Sequence, residues 1–141
     1  MTAQVRLRSA TAADVDAVLA LWRAADAEPS HTDDAAGVLA LLAHDPDALV
    51  VAEDDDGALV GTVIAGWDGW RGSVYRLVVA PAHRRRGLAA ALVREAESRL
   101  AARGARRLAA IVVETDEQAV GFWDASGWTR QDARLRYVRS L

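Results

Sequence analysis

The sequence contains neither cysteine nor lysine, and each absence excludes a class of chemistry. Without cysteine there can be no disulfide framework, no thiolate zinc site and no cysteine nucleophile. All 17 basic residues are arginine. A Walker-type phosphate loop needs a lysine that reaches the outer phosphates, so that class of nucleotide-binding site is excluded as well.

Histidine is scarce, and the balance of charge is slightly acidic. The three histidines, His31, His44 and His83, have no neighbours at metal-ligand spacing, so we expect no metal site. The formal net charge of −3 opposes binding to nucleic acid, and the basic clusters carry no interleaved aromatic residues. No apolar run approaches the roughly twenty residues of a membrane span, and no signal peptide is visible. We therefore expect a cytoplasmic protein with no nucleic-acid or membrane partner.

The chain has 141 residues, 52% of them hydrophobic, which is enough for one compact core. It contains no low-complexity segment, no linker rich in proline or serine, and no internal repeat. We expect residues 1–141 to form a single domain.

The hydrophobic pattern predicts strands and helices in a definite order. Residues 4–9 alternate as an edge strand, and a capping box from Thr11 to Asp14 opens a helix. A second helix ends before Pro46. Further strands are predicted at 49–53, 59–65, 74–79, 108–113, 128–131 and 135–139, and further helices from Gly87 and near 117–126. The order predicts an α/β fold in which an antiparallel meander is followed by a parallel strand-helix-strand crossover.

The stretch from Arg76 to Leu92 has the pattern of a strand, a tight basic loop and a helix. The loop contains three consecutive arginines, Arg84–Arg86, followed by Gly87. A helix that begins at a glycine turn presents unpaired N–H groups and the positive end of its dipole to an anion. The alternative for three adjacent arginines is a solvated turn without a ligand. The strand before the loop and the helix after it favour a phosphate-binding loop.

The spacing within the loop distinguishes between families of phosphate-binding loops. A dinucleotide fingerprint needs three glycines in the pattern G-x-G-x-x-G, and only Gly87 is present. The loop instead resembles the pattern Q/R-x-x-G-x-G/A of the GNAT N-acyltransferase superfamily, with Arg84, Gly87 and Ala89 in the defining positions. Residues 116–128 resemble the family's second signature, N-x-x-A-x-x-[LF]-Y-x-x-x-G-F. This segment keeps Ala119, Phe122 and Gly127, and has Asp116, Trp123 and Trp128 where asparagine, tyrosine and phenylalanine are usual.

The resemblance, which extends to small bacterial acetyltransferases, implies both a fold and an activity. The fold would be a mixed, largely antiparallel twisted sheet, flanked by helices, with a central parallel strand pair splayed around coenzyme A. The activity would be direct attack of a primary amine, on a small molecule or peptide, on acetyl-CoA within a ternary complex. The implied CoA-binding residues are Leu77, Val78 and Val79 on the strand, Arg84, Arg85, Arg86, Gly87, Leu88, Ala89 and Ala90 in the loop, and Asp116, Ala119, Phe122 and Trp123 in the second signature.

The family's usual proton-transfer residues are missing from this chain. Positions where relatives often carry a glutamate hold Ser73 and Ile111, and Trp123 replaces the tyrosine that would protonate the departing thiolate. A thiol with a pKa of roughly 8.5 leaves with little help, so positioning can suffice. The remaining candidates are Tyr75, which shares a strand face with Ser73 if no bulge intervenes, and Asp68, whose alternative role is to favour its Asp-Gly turn.

The resemblance also implies that the first helix-helix loop and the turn around residue 70 border the acceptor. They contain the candidate substrate-binding residues Glu28, His31, Trp67 and Trp70. The alternative role for the two tryptophans is packing against a helix or a dimer partner. The alternative for His31 is that it is an ordinary surface residue. Two questions stay open at this point. One is whether the chain is a homodimer, and the other is whether it is an acyl-CoA-binding module without efficient turnover.

Overall fold

The computed structural model describes residues 4–25, 27 and 29–141. They form two compact units that divide between Ile111 and Val112. The strands are β1 (Arg6–Ser9), β2 (Leu49–Glu53), β3 (Leu59–Trp67), β4 (Gly72–Val79) and β5 (Leu108–Ala109). The helices are α1 (Val15–Ala24), α2 (Ala35–His44), α3 (Leu88–Ala102) and, in the second unit, α4 (Glu117–Ala125). The single domain expected over residues 1–141 stays a prediction.

One sheet organises the first unit. Its strands lie in the order β1-β2-β3-β4-β5, and each neighbouring pair from β1 to β4 is antiparallel. β5 pairs with β4 in parallel, Gly72 opposite Leu108 and Ser73 opposite Ala109. Because α3 connects these two strands, they form the predicted strand-helix-strand crossover. The predicted α/β fold, with a largely antiparallel sheet and one parallel strand pair, is confirmed.

The core is centred on β2 and β3. Residues 49–52 of β2 are all buried, and since alternate residues of a strand point to opposite faces, both faces of this strand are covered. α1 packs on β3 with Val18 and Trp22 buried, as its hydrophobic spacing predicts. α3 packs on β3 and β4 and buries Leu92 and Leu100. These helices fix the positions of β3 and β4, which carry most of the candidate site.

An ion-pair network joins the first two strands to the start of α1. The Arg8 guanidinium donates to both carboxylate oxygens of Asp14, at 2.8 and 2.9 Å, and to Glu53 at 2.6 Å. Asp14 also accepts the Thr11 N–H at 2.7 Å, which is the capping interaction expected from the sequence. The hydrogen bonds from Arg8 lower the pKa of Asp14 to about 2.

Gly72 permits the close approach of three elements at the start of β4. A Cβ atom at this position would lie 2.6 Å from the Leu108 side chain of β5 and 2.8 Å from the Leu100 side chain of α3. Both distances are shorter than any normal carbon-carbon contact. Glycine at position 72 is therefore what allows α3 and β5 to close against β4.

Two expectations about the later part of the chain are wrong. The strand expected over 108–113 ends at Ala109, and Ile111 is 68% exposed. The strands expected at 128–131 and 135–139 are absent from the described residues, where Leu135 and Tyr137 are exposed. Alternating hydrophobicity shows which face a strand would bury, but a strand also needs a neighbouring strand to pair with. None of the described helices is long and apolar enough to cross a bilayer.

Candidate functional site

A β-bulge in β4 lies at the centre of the candidate site. The pairing of β3 with β4 runs from Ile64 opposite Tyr75 to Thr62 opposite Val78, so β4 has one extra residue in this interval. Arg76 carries the bulge with φ of 51°, in the left-handed region that costs a non-glycine residue roughly 1–2 kcal/mol. A bulge takes a residue out of the ladder and re-aims its neighbours. Tyr75 and Ser73 lie before it and, as predicted, share an exposed face.

Core residues hold this bulge in place. The Thr62 hydroxyl donates to the Arg76 carbonyl oxygen at 2.9 Å and accepts from the Trp22 indole N–H, also at 2.9 Å. Both Thr62 and Trp22 are buried. The Arg76 guanidinium lies 5.1 Å from the centre of a Trp22 ring, and its Nη2 atom donates to Asp33 at 2.5 Å. The backbone and the side chain of Arg76 are thus both fixed by groups outside β4.

The basic loop follows β4 directly. A short 3₁₀ turn, Pro81–His83, leads into the three arginines, which are exposed. Arg84 is tied back to the strand because its Nε donates to the Val79 carbonyl at 3.3 Å. Arg85 and Gly87 are both left-handed, with φ of 63° and 78°, and Gly87 begins α3 without a side-chain cap. The first N–H groups of α3 thus have no side-chain cap and follow a loop of positive charge, an arrangement suited to an anion.

A shallow cavity of about 230 Å³ lies at the end of the β3–β4 hairpin. It is lined by Gly66, Trp67, Asp68, Arg71, Ser73 and Tyr75. Three of the candidate catalytic and substrate-binding residues, Trp67, Asp68 and Tyr75, therefore meet here. A larger hollow of about 490 Å³ lies beside β1 and is lined by Gln4, Val5, Arg6, Glu53, Asp54 and Asp55. It contains no residue of the candidate site and no aromatic side chain.

Comparison with known proteins identifies the family. The model of the acetyltransferase (GNAT) family matches residues 15–128. The chain belongs to the GNAT acetyltransferase family. An acetyltransferase of Yersinia enterocolitica is 38% identical over 119 residues, 84% of each chain.

Solved structures of the GNAT fold resemble this chain at low identity. PaiA N-acetyltransferase from Thermoplasma acidophilum, in complex with coenzyme A, has a TM-score of 0.79 at 14% identity, with 93% of each chain covered. The aminoglycoside N-acetyltransferase AAC(6')-Iy, in complex with CoA, has a TM-score of 0.74 at 19% identity, covering 99% of this chain and 97% of that one. At these identities the likeness shows a shared fold.

The two polar candidates in the cavity of this GNAT protein have opposite pKa shifts. Backbone N–H groups of Arg71 and Trp70 donate to Asp68 at 2.7 and 2.8 Å, and they lower the pKa of its carboxyl. Asp68 thus stabilises its own turn, which is the alternative role that the sequence suggested, and it also lines the cavity. Partial burial raises the pKa of the Tyr75 phenol, although the Arg76 cation opposes this. At neutral pH Asp68 is an anion and Tyr75 is a proton donor.

Two of the remaining acceptor candidates, Trp70 and His31, are not among the residues that line the cavity. Trp70 is 69% exposed, and the Arg71 guanidinium stacks 4.0 Å from the centre of its ring. His31 is exposed on the loop between α1 and α2. Glu28 lies outside the residues that the structure describes. In the described part of the chain, no three histidine, aspartate or glutamate side chains are grouped so as to hold a metal ion.

The second signature of the GNAT family forms α4 and its flanks. Asp116 caps the helix, because its carboxylate accepts the Ala119 N–H at 3.0 Å. Trp123 stacks edge-on with Phe122 and Trp128, at 5.5 and 4.8 Å between ring centres. Aspartate can replace asparagine at the cap because both accept this hydrogen bond. The CoA-binding role expected for Asp116, Ala119, Phe122 and Trp123 stays a prediction.

Sequence reasoning missed the residues that hold the bulge. Thr62, Trp22 and Asp33 gave no functional signal, although a hydroxyl within the apolar run of β3 is a weak sign of a polar partner. Arg76 gave none, since arginine has no preference for the left-handed region. Arg71 was also missed, and it both lines the cavity and covers Trp70.

Proposed function

We propose that this protein is an acetyl-CoA-dependent N-acetyltransferase that acts on a primary amine of a small molecule or peptide. The observation that supports this most is the order of features along β4. The strand begins at the cavity with Ser73 and Tyr75, passes through the bulge at Arg76 and continues into the basic loop. An amine, a thioester and a pyrophosphate would need sites in this same order.

The basic loop would hold the pyrophosphate of CoA. Backbone N–H groups from Arg84 to Ala90 would donate to the phosphates, and the exposed guanidinium groups would add charge-assisted hydrogen bonds. The bulge would align the acetyl group, since it re-aims the strand where Leu77, Val78 and Val79 follow. A backbone N–H from this segment would polarise the thioester carbonyl oxygen. The CoA found in similar solved structures supports this assignment.

The cavity would bind the amine. The Asp68 carboxylate attracts an ammonium group, and Trp67 offers an apolar wall. The Tyr75 phenol, neutral at pH 7, would donate a hydrogen bond to the developing oxyanion or to the sulfur. A cavity of about 230 Å³ suits the amine-bearing end of a larger molecule, which would extend out of it. The aminoglycoside named for one similar structure is an acceptor of this kind.

The transfer needs few protein groups. The bound ammonium first loses a proton to water. The free amine then attacks the thioester carbonyl carbon and forms a tetrahedral intermediate, which collapses as the carbon-sulfur bond breaks. CoA leaves as a thiolate, and the proton of the new ammonium passes to water. The lowered pKa of Asp68 makes it a weak base, so its part is to bind the ammonium rather than to deprotonate it. The rate enhancement then comes mainly from positioning.

The test is release of CoA thiol from acetyl-CoA across polyamines, aminoglycosides, amino acids and N-terminal peptides, with acetyl-CoA binding measured by calorimetry. Amine-dependent release supports the proposal. Binding without release from any amine of the panel supports the second candidate, a CoA-binding module, which Ser73, Ile111 and Trp123 at the usual catalytic positions favour. Absence of acetyl-CoA binding would contradict both. Cytoplasmic location and a homodimeric state remain predictions.

A further inference from the structure

The loop between α1 and α2 is tied to the bulge in β4 by an ion pair. The Arg76 Nη2 atom lies 2.5 Å from Asp33 Oδ2, and both side chains are only 19% exposed. These residues are 43 positions apart in the chain. A contact between such distant residues, partly shielded from water, depends on the tertiary structure and resists screening better than a surface pair.

The carboxylate of Asp33 also closes the loop upon itself. Its Oδ2 atom accepts the Ser30 N–H at 2.9 Å, and the Asp33 N–H donates to the Ser30 carbonyl at 3.0 Å. The same oxygen therefore binds both the turn formed by residues 30–33 and the guanidinium of Arg76. His31 lies within this turn.

The identity of residue 76 is notable because the backbone there favours glycine. An arginine with φ of 51° carries strain that a glycine would not. Its side chain is nevertheless placed between the Trp22 ring and the Asp33 carboxylate. Despite this backbone strain, residue 76 thus keeps a side chain that joins the loop to the strand next to Tyr75.

We propose that the Arg76–Asp33 ion pair orders residues 30–33 against β4 and thereby sets the affinity for the amine, but not the affinity for acetyl-CoA. Arg76 and Asp33 are then positioning residues, which hold the turn with His31 against the bulge that follows Tyr75, a residue of the cavity lining. This inference depends on the proposed function for its kinetic consequence only. The ordering of the loop is independent of it.

The first experiment is hydrogen exchange on the full chain. In Arg76→Gly and in Asp33→Asn we expect amide exchange in residues 30–33 to be at least fivefold faster, with exchange in β2 and β3 unchanged. Arg6→Gln is the matched control, since it removes another arginine-carboxylate contact of the same sheet, Arg6 with Glu53. Unchanged exchange in residues 30–33 of both variants would overturn the proposal, whether or not the protein is an acetyltransferase.

The second experiment separates the loop from the bulge. Glycine at position 76 keeps the left-handed backbone, so Arg76→Gly should leave the acetyl-CoA Kd within twofold while it raises the KM for the best amine of the panel about tenfold. Arg76→Lys keeps the charge and should restore part of the amine affinity. An amine KM within twofold of the wild type, or a loss confined to acetyl-CoA binding, would refute the link between the loop and the acceptor. A chain with no transferase activity would still show the exchange result, so the two failures are distinguishable.

Discussion

In the proposed mechanism, two side chains at the cavity, Asp68 and Tyr75, have different chemical roles. Asp68 is held as an anion by two backbone N–H donors, and Tyr75 is held neutral by partial burial. An anion attracts the ammonium form of an amine, and a neutral phenol stabilises negative charge on oxygen or sulfur. Neither group is suited to take a proton at neutral pH, which leaves that step to water.

Removal of the Tyr75 hydroxyl tests this division. We expect Tyr75→Phe to lower kcat about 10- to 100-fold, since a donor to the developing charge is lost, and to leave acetyl-CoA affinity unchanged. Steady-state kinetics with the best amine measures this. Tyr137→Phe, at a tyrosine that is 87% exposed, is the matched control. An unchanged kcat in Tyr75→Phe would remove the phenol from the mechanism.

The Thr62 hydroxyl is a second residue-scale test. Thr62→Val keeps the side-chain shape but leaves the buried Trp22 N–H and the Arg76 carbonyl without this partner. We expect the free energy of unfolding to fall by about 1–3 kcal/mol and acetyl-CoA binding to weaken about tenfold, because the bulge loses its support. Urea denaturation and calorimetry measure the two effects. Thr129→Val, at an exposed threonine, should change neither.

A negative charge introduced at Gly87, just before α3, tests whether the basic loop binds phosphate. A Cβ atom at Gly87 would meet no atom within 4 Å, although the φ of 78° there strains any side chain. Gly87→Glu is expected to act mainly through its charge and through crowding of the ligand. We expect acetyl-CoA affinity to fall at least about 100-fold. Gly104→Glu is the matched control, since Gly104 is also left-handed and open but lies after the other end of α3. Retained affinity in Gly87→Glu would refute the phosphate assignment.

At the scale of elements, Gly72 lies where α3 and β5 pack against β4. We expect Gly72→Ala to lower the free energy of unfolding by about 1–3 kcal/mol, because its Cβ would overlap side chains of α3 and β5. Gly121→Ala should act in the opposite direction. Gly121 lies inside α4 with nothing within 4 Å of its Cβ position, so alanine should stabilise that helix by about 0.5–1 kcal/mol. Thermal unfolding of the two variants measures both changes in stability. A stability change of the same sign in both variants would contradict the packing argument.

The sequence predicted the elements whose positions burial decides. The spacing of Val18 and Trp22 located α1, and the apolar run at 49–52 located β2, because a core face leaves a clear period. The strand predicted at 108–113 is shorter in the structure, and those predicted at 128–131 and 135–139 are absent from the described residues. Pairing partners do not show in a single strand's pattern. The cavity was partly predictable, because a hairpin brings Asp68 and Tyr75 together. The bulge was not, because it depends on hydrogen bonds between residues far apart in sequence.

For the molecule as a whole, the contact between Arg8 and Asp14 links stability to pH. The folded pKa of Asp14, about 2, is below its usual 3.8, so the unfolded state binds more protons between these values. This stabilisation is complete above about pH 4 and is lost as the pH falls through 2. We expect Arg8→Gln to lower the free energy of unfolding by about 1–2 kcal/mol at pH 7 and to leave it almost unchanged near pH 2. Denaturant unfolding at several pH values measures this, with Arg6→Gln as the control. A loss of stability that does not depend on pH would show that Arg8 stabilises the fold through packing and not through its charge.

The exposed arginines of the loop before α3 have one more consequence. A guanidinium stays protonated at every accessible pH and is a poor nucleophile, whereas the amine of a lysine is a target for acylation. In the proposed complex, the CoA pyrophosphate would lie against Arg84–Arg86, which are cations that bind phosphate and do not react with an acyl group. With no lysine and no cysteine in the sequence, no side-chain alkylamine or thiol of the protein would compete with the proposed acceptor for the acyl group.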